Sequence, residues 1–533
     1  MKKISLTIIA LTVISNIFSQ QLNNLIKGHL NGSFENYSQY YMNDEKIGAF
    51  APFDKVGTNN FLKLDYTYGN FTTGIQYESY LPSILGYNAL PLNQSKIANK
   101  YFKYSEENYS IQVGDFYEQF GSGLIFRAFE NRQIGINNAL EGVNVYLQPT
   151  NFSKLKVIYG KTRKLFEYSN SITRGIDAEF DLTKAFGKKN KQHKTNITIG
   201  GSYVGRFQDY TGPIDDYPST VNAYATRLDI NSGNFTFNAE YVNKGRDPHV
   251  LNNNSFEKGK ALLVNTSYTK NNFGITVTAR AISNMDFRAE REVEFATYLP
   301  VNYVPALTKQ HDYLTSNIYV YNPQTIGETG FQTDLYYTFK PKTKLGGKYG
   351  TKIAANFSFY GSLKDNKDLL SVGSNKYYSD ANIEIKKKWS KKIETTLALQ
   401  NIFYNASVIQ VASHPDVVSN VVAFGLLYKY APQKSVRVKL EHLSTKEDNG
   451  NWASAITEFS FASPYSFYVS DLYNYGVTGD HYYNFGASVT KNSTRFSLAF
   501  GKQRAGLFCV GGVCRFVPAA YGFTATLTSS FGN

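Results

Sequence analysis

The sequence predicts an all-β fold: a transmembrane antiparallel outer-membrane β-barrel of about 22 to 24 strands. Three observations favour this class. The chain begins with an export signal, apolar residues alternate with small polar residues in many segments, and the connections between those segments alternate between short and long. Each of these features is typical of proteins that cross a membrane with strands.

The first 20 residues have the pattern of a secretory signal peptide. Lys2 and Lys3 precede an uncharged apolar run from Ile4 to Phe18, which small and polar residues follow. The run is too short for a retained membrane helix, and no cysteine at the cleavage region could be lipidated. We therefore assign residues 1–20 to a signal peptide and residues 21–533 to one barrel domain.

The composition of the remaining chain indicates strands. It has no run of about 18 apolar residues, so a membrane must be crossed without helices. A mean hydropathy of −0.35 suggests a soluble protein, but alternation hides the lipid-facing residues from such averages. Aromatic residues make up 15%, which suits lipid-facing strands. A soluble β-helix or propeller should show a fixed repeat, and none is found.

The segment from Gly114 to Glu141 breaks the alternation and mixes charges with aromatic residues. Charges that face lipid would cost several kcal/mol, so we expect them to face the lumen. The segment is interpreted as an inward-folded constriction or partial plug, and an ordinary exposed loop is the alternative. Its charged residues are Asp115, Glu118, Arg127, Glu130, Arg132 and Glu141.

Turns and charges show the same asymmetry. Short turns, such as those near Ser232 to Asn234 and Lys270 to Asn272, alternate with longer polar connections. An even strand number then places both termini in the periplasm, with the short turns. Lysines cluster at these turns: Lys188, Lys189, Lys191, Lys194, Lys340, Lys342, Lys344, Lys348, Lys352, Lys386, Lys387, Lys388, Lys391 and Lys392. Acidic residues fall in predicted outside loops: Asp209, Asp215, Asp216, Glu290, Glu292, Glu294, Glu447 and Asp448.

The net charge of +14 has two interpretations. In the first, the lysines lie in solvated turns near anionic headgroups. In the second, they form a docking surface for a periplasmic partner. Nucleic acid is not expected as a partner, because the chain is exported and its strands face lipid.

His442 and Ser444 lie two residues apart, so alternation puts both on one face of a strand. Outer-membrane phospholipases and lipid A deacylases carry such a pair. A nucleophilic serine also needs a third polar group that orients the histidine. Asn449, Asn451 and Glu458 lie nearby without a compelling register, so the pair is a weak catalytic candidate. The histidines form no ligand cluster, and we expect no metal and no cofactor.

Cys509 and Cys514 flank a predicted Gly-Gly hairpin turn, which places them opposite each other. Their Cα atoms should then lie about 4.5 Å apart, near the lower end of disulfide geometry. Export to an oxidising compartment favours a disulfide. Two free thiols or a metal pair are the alternatives, although a lone pair lacks the further ligands that zinc needs.

The last segment is the clearest strand. Val517, Ala519, Tyr521, Phe523, Ala525, Leu527 and Phe531 share one parity, and small polar residues share the other. A soluble sandwich also alternates, but its apolar face usually meets a partner sheet. The terminal aromatic Phe531 resembles the signal by which the barrel-insertion machinery recognises its clients.

The Phe18-Ser19-Gln20 ending of the signal peptide, the Gly114 to Gly123 motif, the cysteine hairpin and the Phe531 terminus carry a resemblance. Together they resemble an uncharacterised family of Bacteroidota outer-membrane proteins, known by a domain of unknown function. The resemblance covers most of the mature chain and implies no catalytic residue. Barrels of this kind often accompany secretion, uptake or barrel-assembly machines.

We therefore expect a non-enzymatic accessory subunit of an outer-membrane assembly, secretion or uptake complex. A pore for small solutes or ligands and an outer-membrane lipid hydrolase are the alternatives. The expected partners are outer-membrane lipid, lipopolysaccharide, the insertion machinery and other outer-membrane or periplasmic proteins.

Overall fold

The structure is a computed structural model that describes residues 28–87, 91–187, 194–210, 216–295, 297–366, 368–411, 413–462, 464–510 and 513–532. Several sequence predictions lie outside these residues. They concern the signal peptide, Lys188, Lys189, Lys191, Asp215 and the Gly511-Gly512 turn.

The described residues form one closed antiparallel barrel of 24 strands, in agreement with the predicted 22 to 24. The main sheet has 26 strands, and two of these are two-residue additions at Glu167–Tyr168 and Asp480–His481, which leaves 24 (26 − 2). The barrel strands are β1 (His29–Tyr41), β2 (Val56–Tyr68), β3 (Phe71–Tyr80), β4 (Gln94–Ser105), β5 (Tyr109–Phe116), β6 (Leu140–Thr150), β7 (Ser153–Lys164), β8 (Ile172–Asp181), β9 (Thr195–Phe207), β10 (Thr220–Ser232), β11 (Phe235–Arg246), β12 (Lys258–Lys270), β13 (Phe273–Ser283), β14 (Gly327–Phe339), β15 (Thr351–Gly361), β16 (Lys376–Lys388), β17 (Ile393–Tyr404), β18 (Val417–Ala431), β19 (Lys434–Ser444), β20 (Trp452–Phe461), β21 (Tyr465–Asn474), β22 (Asn484–Lys491), β23 (Thr494–Gln503) and β24 (Ala520–Gly532).

The barrel closes where β1 pairs with β24, with Gly32 opposite Phe531. A Cβ atom at Gly32 would lie 2.3 Å from the Phe531 ring, so a larger residue there would have to displace this terminal aromatic side chain. The residue proposed as the insertion signal therefore also packs at the closing seam.

The helices among the described residues are short. Two are α-helices, α1 (Leu182–Phe186) and α2 (Ala406–Ile409), and 3-10 turns occur at Glu45–Ile47, Val250–Asn252, Ser316–Ile318 and Lys364–Asn366. In the part of the chain that the structure describes, no helix is long and apolar enough to cross a membrane.

The two ends of the barrel differ. The turn end holds both described termini and mostly short turns, with residues 182–194 and 340–350 as longer exceptions, and the loop end holds most of the long connections. Four two-residue turns at the turn end begin with a residue of positive φ: Gly69, Gly233, Asn271 and Asn492. Glycine and asparagine tolerate this conformation best, so residue type fixes where these hairpins turn.

The strands alternate between an outer and an inner face. On β18, Val418, Val422 and Phe424 are exposed on the outer face, whereas Val421 and Ala423 are buried on the inner face. An apolar outer face is what a closed barrel presents to lipid.

Two loop-end connections fold into the lumen, and we call them plug segment 1 (residues 117–139) and plug segment 2 (residues 284–326). One apolar cluster packs both segments against the inner wall. It includes Phe120, Leu124, Ile125, Phe126, Met285, Phe287, Leu299 and Val301 of the plug and Ile158, Val204 and Val242 of the wall. A second cluster packs Ile318, Tyr319 and Tyr321 of plug segment 2 against Tyr360, Tyr378 and Tyr404.

Plug segment 1 falls within the predicted inward-folded region, whereas plug segment 2 was not predicted. The assignment of Glu290 to an outside loop is wrong. Its side chain is buried, and it accepts hydrogen bonds from the backbone N–H of Asn170 (2.8 Å) and from Lys164 Nζ (3.3 Å). The chain between β13 and β14 is long enough to carry it inward.

Candidate functional site

The candidate site is the plugged lumen, where charged side chains join the plug to the wall. Arg132 of plug segment 1 contacts Glu35 on β1 (Nη1 to Oε1, 2.8 Å) and Glu130 beside it (Nε to Oε1, 3.1 Å). Its guanidinium also lies 4.7 Å from the centre of the Phe61 ring. Burial alone would lower the pKa of Arg132, but Glu130 and Glu35 raise it, so the side chain remains a cation.

Other predicted lumen residues serve the same junction. Glu118 accepts a hydrogen bond from Lys156 Nζ on β7 at 2.8 Å. Arg127 joins the two plug segments: its guanidinium lies 4.0 Å from the centre of the Tyr303 ring, and its backbone N–H donates to the Val301 carbonyl at 2.9 Å. Such cation–π contacts gain strength where water is excluded.

The remaining two members of the predicted charge cluster do not join it. Asp115 is buried near the end of β5, where it accepts from the Lys100 backbone N–H (2.8 Å) and the Tyr168 hydroxyl (2.9 Å). The lumen assignment of Glu141 is wrong. Glu141 shares the strand face of exposed Val143, and its carboxylate lies 3.8 Å from the exposed Lys100 Nζ. Alternation along β6 therefore turns it outward.

Plug segment 2 is anchored by a fully buried charge cluster that sequence reasoning missed. Asp247 accepts from Arg206 on β9 and from Lys244 Nζ on β11 (3.1 Å), and all three side chains are 0% exposed. Lys244 also donates to the backbone carbonyl of Asp286 in plug segment 2. Charged side chains are almost never fully buried unless they are paired, which explains why these three groups lie together. The bond from Lys244 to Asp286 joins this cluster to the plug. The sequence feature that could have indicated this cluster is the alternation of β9 and β11, which places Arg206 and Lys244 on the inner face of the barrel.

A third set of contacts lies farther along plug segment 2. Alternate residues from 309 to 315 each bond to an inward-facing side chain of β16 or β19. The pairs are Lys309 with Asn382 (3.0 Å), His311 with Asp380 (2.6 Å), Tyr313 with Glu384 (2.8 Å) and Thr315 with Glu441 (2.9 Å, from the backbone N–H). The plug is thereby hydrogen-bonded to the opposite side of the barrel as well.

Toward the turn end, inward-facing charged side chains are exposed inside the barrel and are not covered by the plug. Arg437 and Glu458 form an inward-facing pair at 3.2 Å, yet both side chains are almost half exposed. An inward charge that is exposed must meet water inside the barrel. We call this hydrated half of the lumen the vestibule.

His442 and Ser444 share the outer face of β19, as alternation predicts, but no described hydrogen bond joins them. His442 Nε2 instead lies 2.5 Å from the Tyr475 hydroxyl. The third groups considered from sequence are engaged elsewhere: Asn451 accepts from the Thr445 backbone N–H, and Glu458 pairs with Arg437. The described contacts give His442 no carboxylate partner.

Cys509 and Cys514 form the expected disulfide, with Cα atoms 4.0 Å apart, in the hairpin Gly506–Val510 and Val513–Val517 at the loop end. The Cys514 sulfur lies 3.7 Å from the backbone carbonyl of Tyr321, so this hairpin touches plug segment 2.

We predict that reducing this disulfide lowers the unfolding free energy by no more than about 2 kcal/mol, because the bond closes a very short loop. Alkylation of unreduced, denatured protein followed by intact-mass measurement should add no alkyl group. The Cys509→Ser/Cys514→Ser variant should still assemble. Two alkyl groups on unreduced protein would contradict the bond.

Among the described residues, no group of three or more His, Cys, Asp or Glu side chains is placed to hold a metal ion.

Comparisons with known proteins bear on the fold and the family. A chain of the E. coli P pilus tip assembly intermediate PapC-PapD-PapK-PapG has 10% identity and a TM-score of 0.50, covering 95% of this chain and 61% of that one. The P pilus usher (PapC) translocation pore has 10% identity and a TM-score of 0.44, with 95% and 99% covered. The outer-membrane protein OpdK from Pseudomonas aeruginosa has 8% identity and a TM-score of 0.37, with 95% and 99% covered. A search of curated proteins gives no match.

The closed barrel, its apolar outer face and the similarity to the chain of the P pilus tip assembly intermediate show the fold of an outer-membrane β-barrel. A family description matches residues 1–531, which is nearly the whole sequence, and the chain belongs to the "Family of unknown function (DUF6029)".

Proposed function

We propose that this protein is a closed, non-enzymatic barrel that acts as an accessory subunit of an outer-membrane assembly, secretion or uptake complex. The observation that supports the proposal is the packing of the plug. Both plug segments share an apolar cluster with the wall and are bonded to strands around the barrel. A barrel filled in this way is suited to holding or docking other components.

The energetics of the plug favour a closed resting state. Phe120, Phe126 and Phe287 are at most 1% exposed. Burial of each such side chain contributes about 1.5–3 kcal/mol relative to exposure. Displacement of the plug would expose these rings and would also break the bond from Lys244 to the Asp286 carbonyl. Opening therefore requires energy from a ligand or a partner.

The lysine-rich turn end provides the docking surface in this proposal. Lys387 Nζ lies 4.8 Å from the centre of the Trp389 ring, and Lys348 and Lys388 flank Tyr349 at 5.7 and 5.9 Å. Exposed cations beside aromatic rings suit a partner with an acidic face.

The test is affinity isolation of the tagged protein from native membranes after mild cross-linking. We expect a reproducible partner that is lost when Lys342, Lys344 and Lys348 are changed to Glu. Lys364→Glu, a single reversal on the loop end, should keep it. A wild-type protein that is recovered alone would overturn the accessory role.

A gated passage is the second candidate, and the hydrated vestibule favours it. Exposed inward charges such as Arg437 and Glu458 are expected where solute or a partner chain enters the barrel. A ligand that opens wild-type protein to small solutes would support this candidate over a closed subunit.

For the non-enzymatic part of the proposal, we predict that His442→Ala and Ser444→Ala do not change the amount of fatty acid released from phospholipids. His442 is bonded to Tyr475 and not to a carboxylate, so it lacks the group that would orient it as a base. Fatty-acid release from phospholipid vesicles is the measurement. Release by wild-type protein that disappears in both variants would establish a hydrolase.

A further inference from the structure

A cavity of about 160 Å³ lies at the loop end, and neither the barrel fold nor the family match assigns it a role. Three connections surround it: 405–416, which contains α2, then 445–451 and 504–519. Ile318 and Tyr319 of plug segment 2 also line it. We call it the Arg504 cavity.

The acidic residue in this cavity is already satisfied. Asp448 Oδ2 accepts from the Tyr319 hydroxyl at 2.9 Å. Its other oxygen lies 3.3 Å from His414 Nε2 and accepts from the Asn449 amide at 3.0 Å. The carboxylate therefore has its partners without Arg504.

Arg504 has no hydrogen bond or ion pair among the residues that the structure describes. Its guanidinium lies against Gly506, where an added Cβ would be 3.1 Å from Nη1. Burial lowers the pKa of Arg504, and nearby Tyr482, Tyr319 and Asp448 oppose that effect. A half-buried guanidinium with five donors and no acceptor is a strong attractor for an anion.

The lining of the cavity narrows the class of anion. The cavity offers a single unpaired cation, which matches a monoanion better than a dianion. Tyr404 and Phe516 supply aromatic walls, and Leu507 adds an apolar one. A carboxylate can accept two parallel hydrogen bonds from a guanidinium, while a flat or apolar body packs on the rings.

We propose that the Arg504 cavity binds a small carboxylate with a flat or apolar body, through paired hydrogen bonds from Arg504. This inference goes beyond the accessory role, and it does not depend on whether the lumen conducts.

Isothermal titration of the purified full-length barrel in detergent, with benzoate and inorganic phosphate as probes, tests the site. We expect saturable binding of benzoate that weakens at least tenfold in Arg504→Ala. Arg515→Ala is the matched control, because Arg515 lies in the same connection but donates to the Gly86 carbonyl, and it should leave binding unchanged.

The outcomes that overturn the proposal are defined in the same experiment. Absence of saturable benzoate binding by wild-type protein, equal binding by Arg504→Ala, or tighter binding of phosphate than of benzoate would each do so. If Arg504→Ala does not assemble, Arg504→Lys keeps the charge but loses the two-donor geometry. We expect it to weaken binding several-fold, and unchanged binding would also refute the proposal.

Discussion

Replacing Asp247 by alanine is expected to lower the unfolding free energy of the barrel by about 3–5 kcal/mol, the cost of breaking a buried ion pair by removing one partner. The loss leaves two cations, Arg206 and Lys244, at 0% exposure without their carboxylate. Lys244 would keep only its bond to the Asp286 carbonyl.

Denaturant unfolding of the purified protein in lipid vesicles measures this effect, with gel mobility as the check on folding. Glu458→Ala is the matched control, because it also breaks an inward acid–arginine pair, but one whose side chains are almost half exposed. That change should cost less than about 1 kcal/mol. Equal stability of the two variants would contradict the importance of the buried cluster.

The stabilisation by Asp247 should also depend on pH. Burial alone would raise the pKa of Asp247, but Lys244 and Arg206 outweigh it and hold the pKa below its usual range. A depressed folded-state pKa gives stability that is present above the unfolded value, about 4, and is lost as the pH falls through the folded value. The difference between wild type and Asp247→Ala should therefore shrink on acidification below about pH 4.

Replacing residues 284–326 by a short glycine-serine linker is expected to open the barrel. Ser283 and Gly327 are paired across β13 and β14, so a short turn can join them without disturbing the wall. Barrels of about 16–18 strands already leave an aqueous channel when unplugged, and this barrel has more. Vesicles that contain this variant should swell rapidly in a sugar solution, whereas vesicles with the wild-type protein should swell only at the background rate.

The control for that variant is the same linker in place of residues 362–375, another loop-end connection, in which Leu370 and Val372 are exposed. Vesicles with this protein should remain impermeable. A folded variant without plug segment 2 that also stays impermeable would show that the segment does not close the lumen.

The strands of the barrel wall could be predicted from the sequence, because the patterns that mark strands and turns are local. Alternation along β24 and the Gly or Asn turns at Gly69, Gly233 and Asn271 each depend on neighbouring residues. The joint orientation of His442 and Ser444 followed from the same two-residue period.

Of the two plug segments, only plug segment 1 was predicted from the sequence. The contacts of the plug join residues far apart in the sequence, so no local pattern marks them. Asp247 meets Arg206 of another strand, and Thr315 meets Glu441 across the lumen. Plug segment 2 lacks a periodic pattern that would separate an inserted loop from an exposed one. The error at Glu141 has a simpler cause. The alternation along the strand puts Glu141 on the same outer face as Val143, but the prediction assumed that charges avoid that face. In the structure, Glu141 pairs with Lys100 on the outer face.

The most direct test of the account is a planar-bilayer recording of the purified wild-type protein, with the variant that lacks residues 284–326 as the conducting reference. The packed plug predicts that wild-type protein inserts without current steps at moderate voltage, while the reference opens large, stable channels. Stable, open channels from wild-type protein without added ligand would contradict a lumen closed by plug segments 1 and 2.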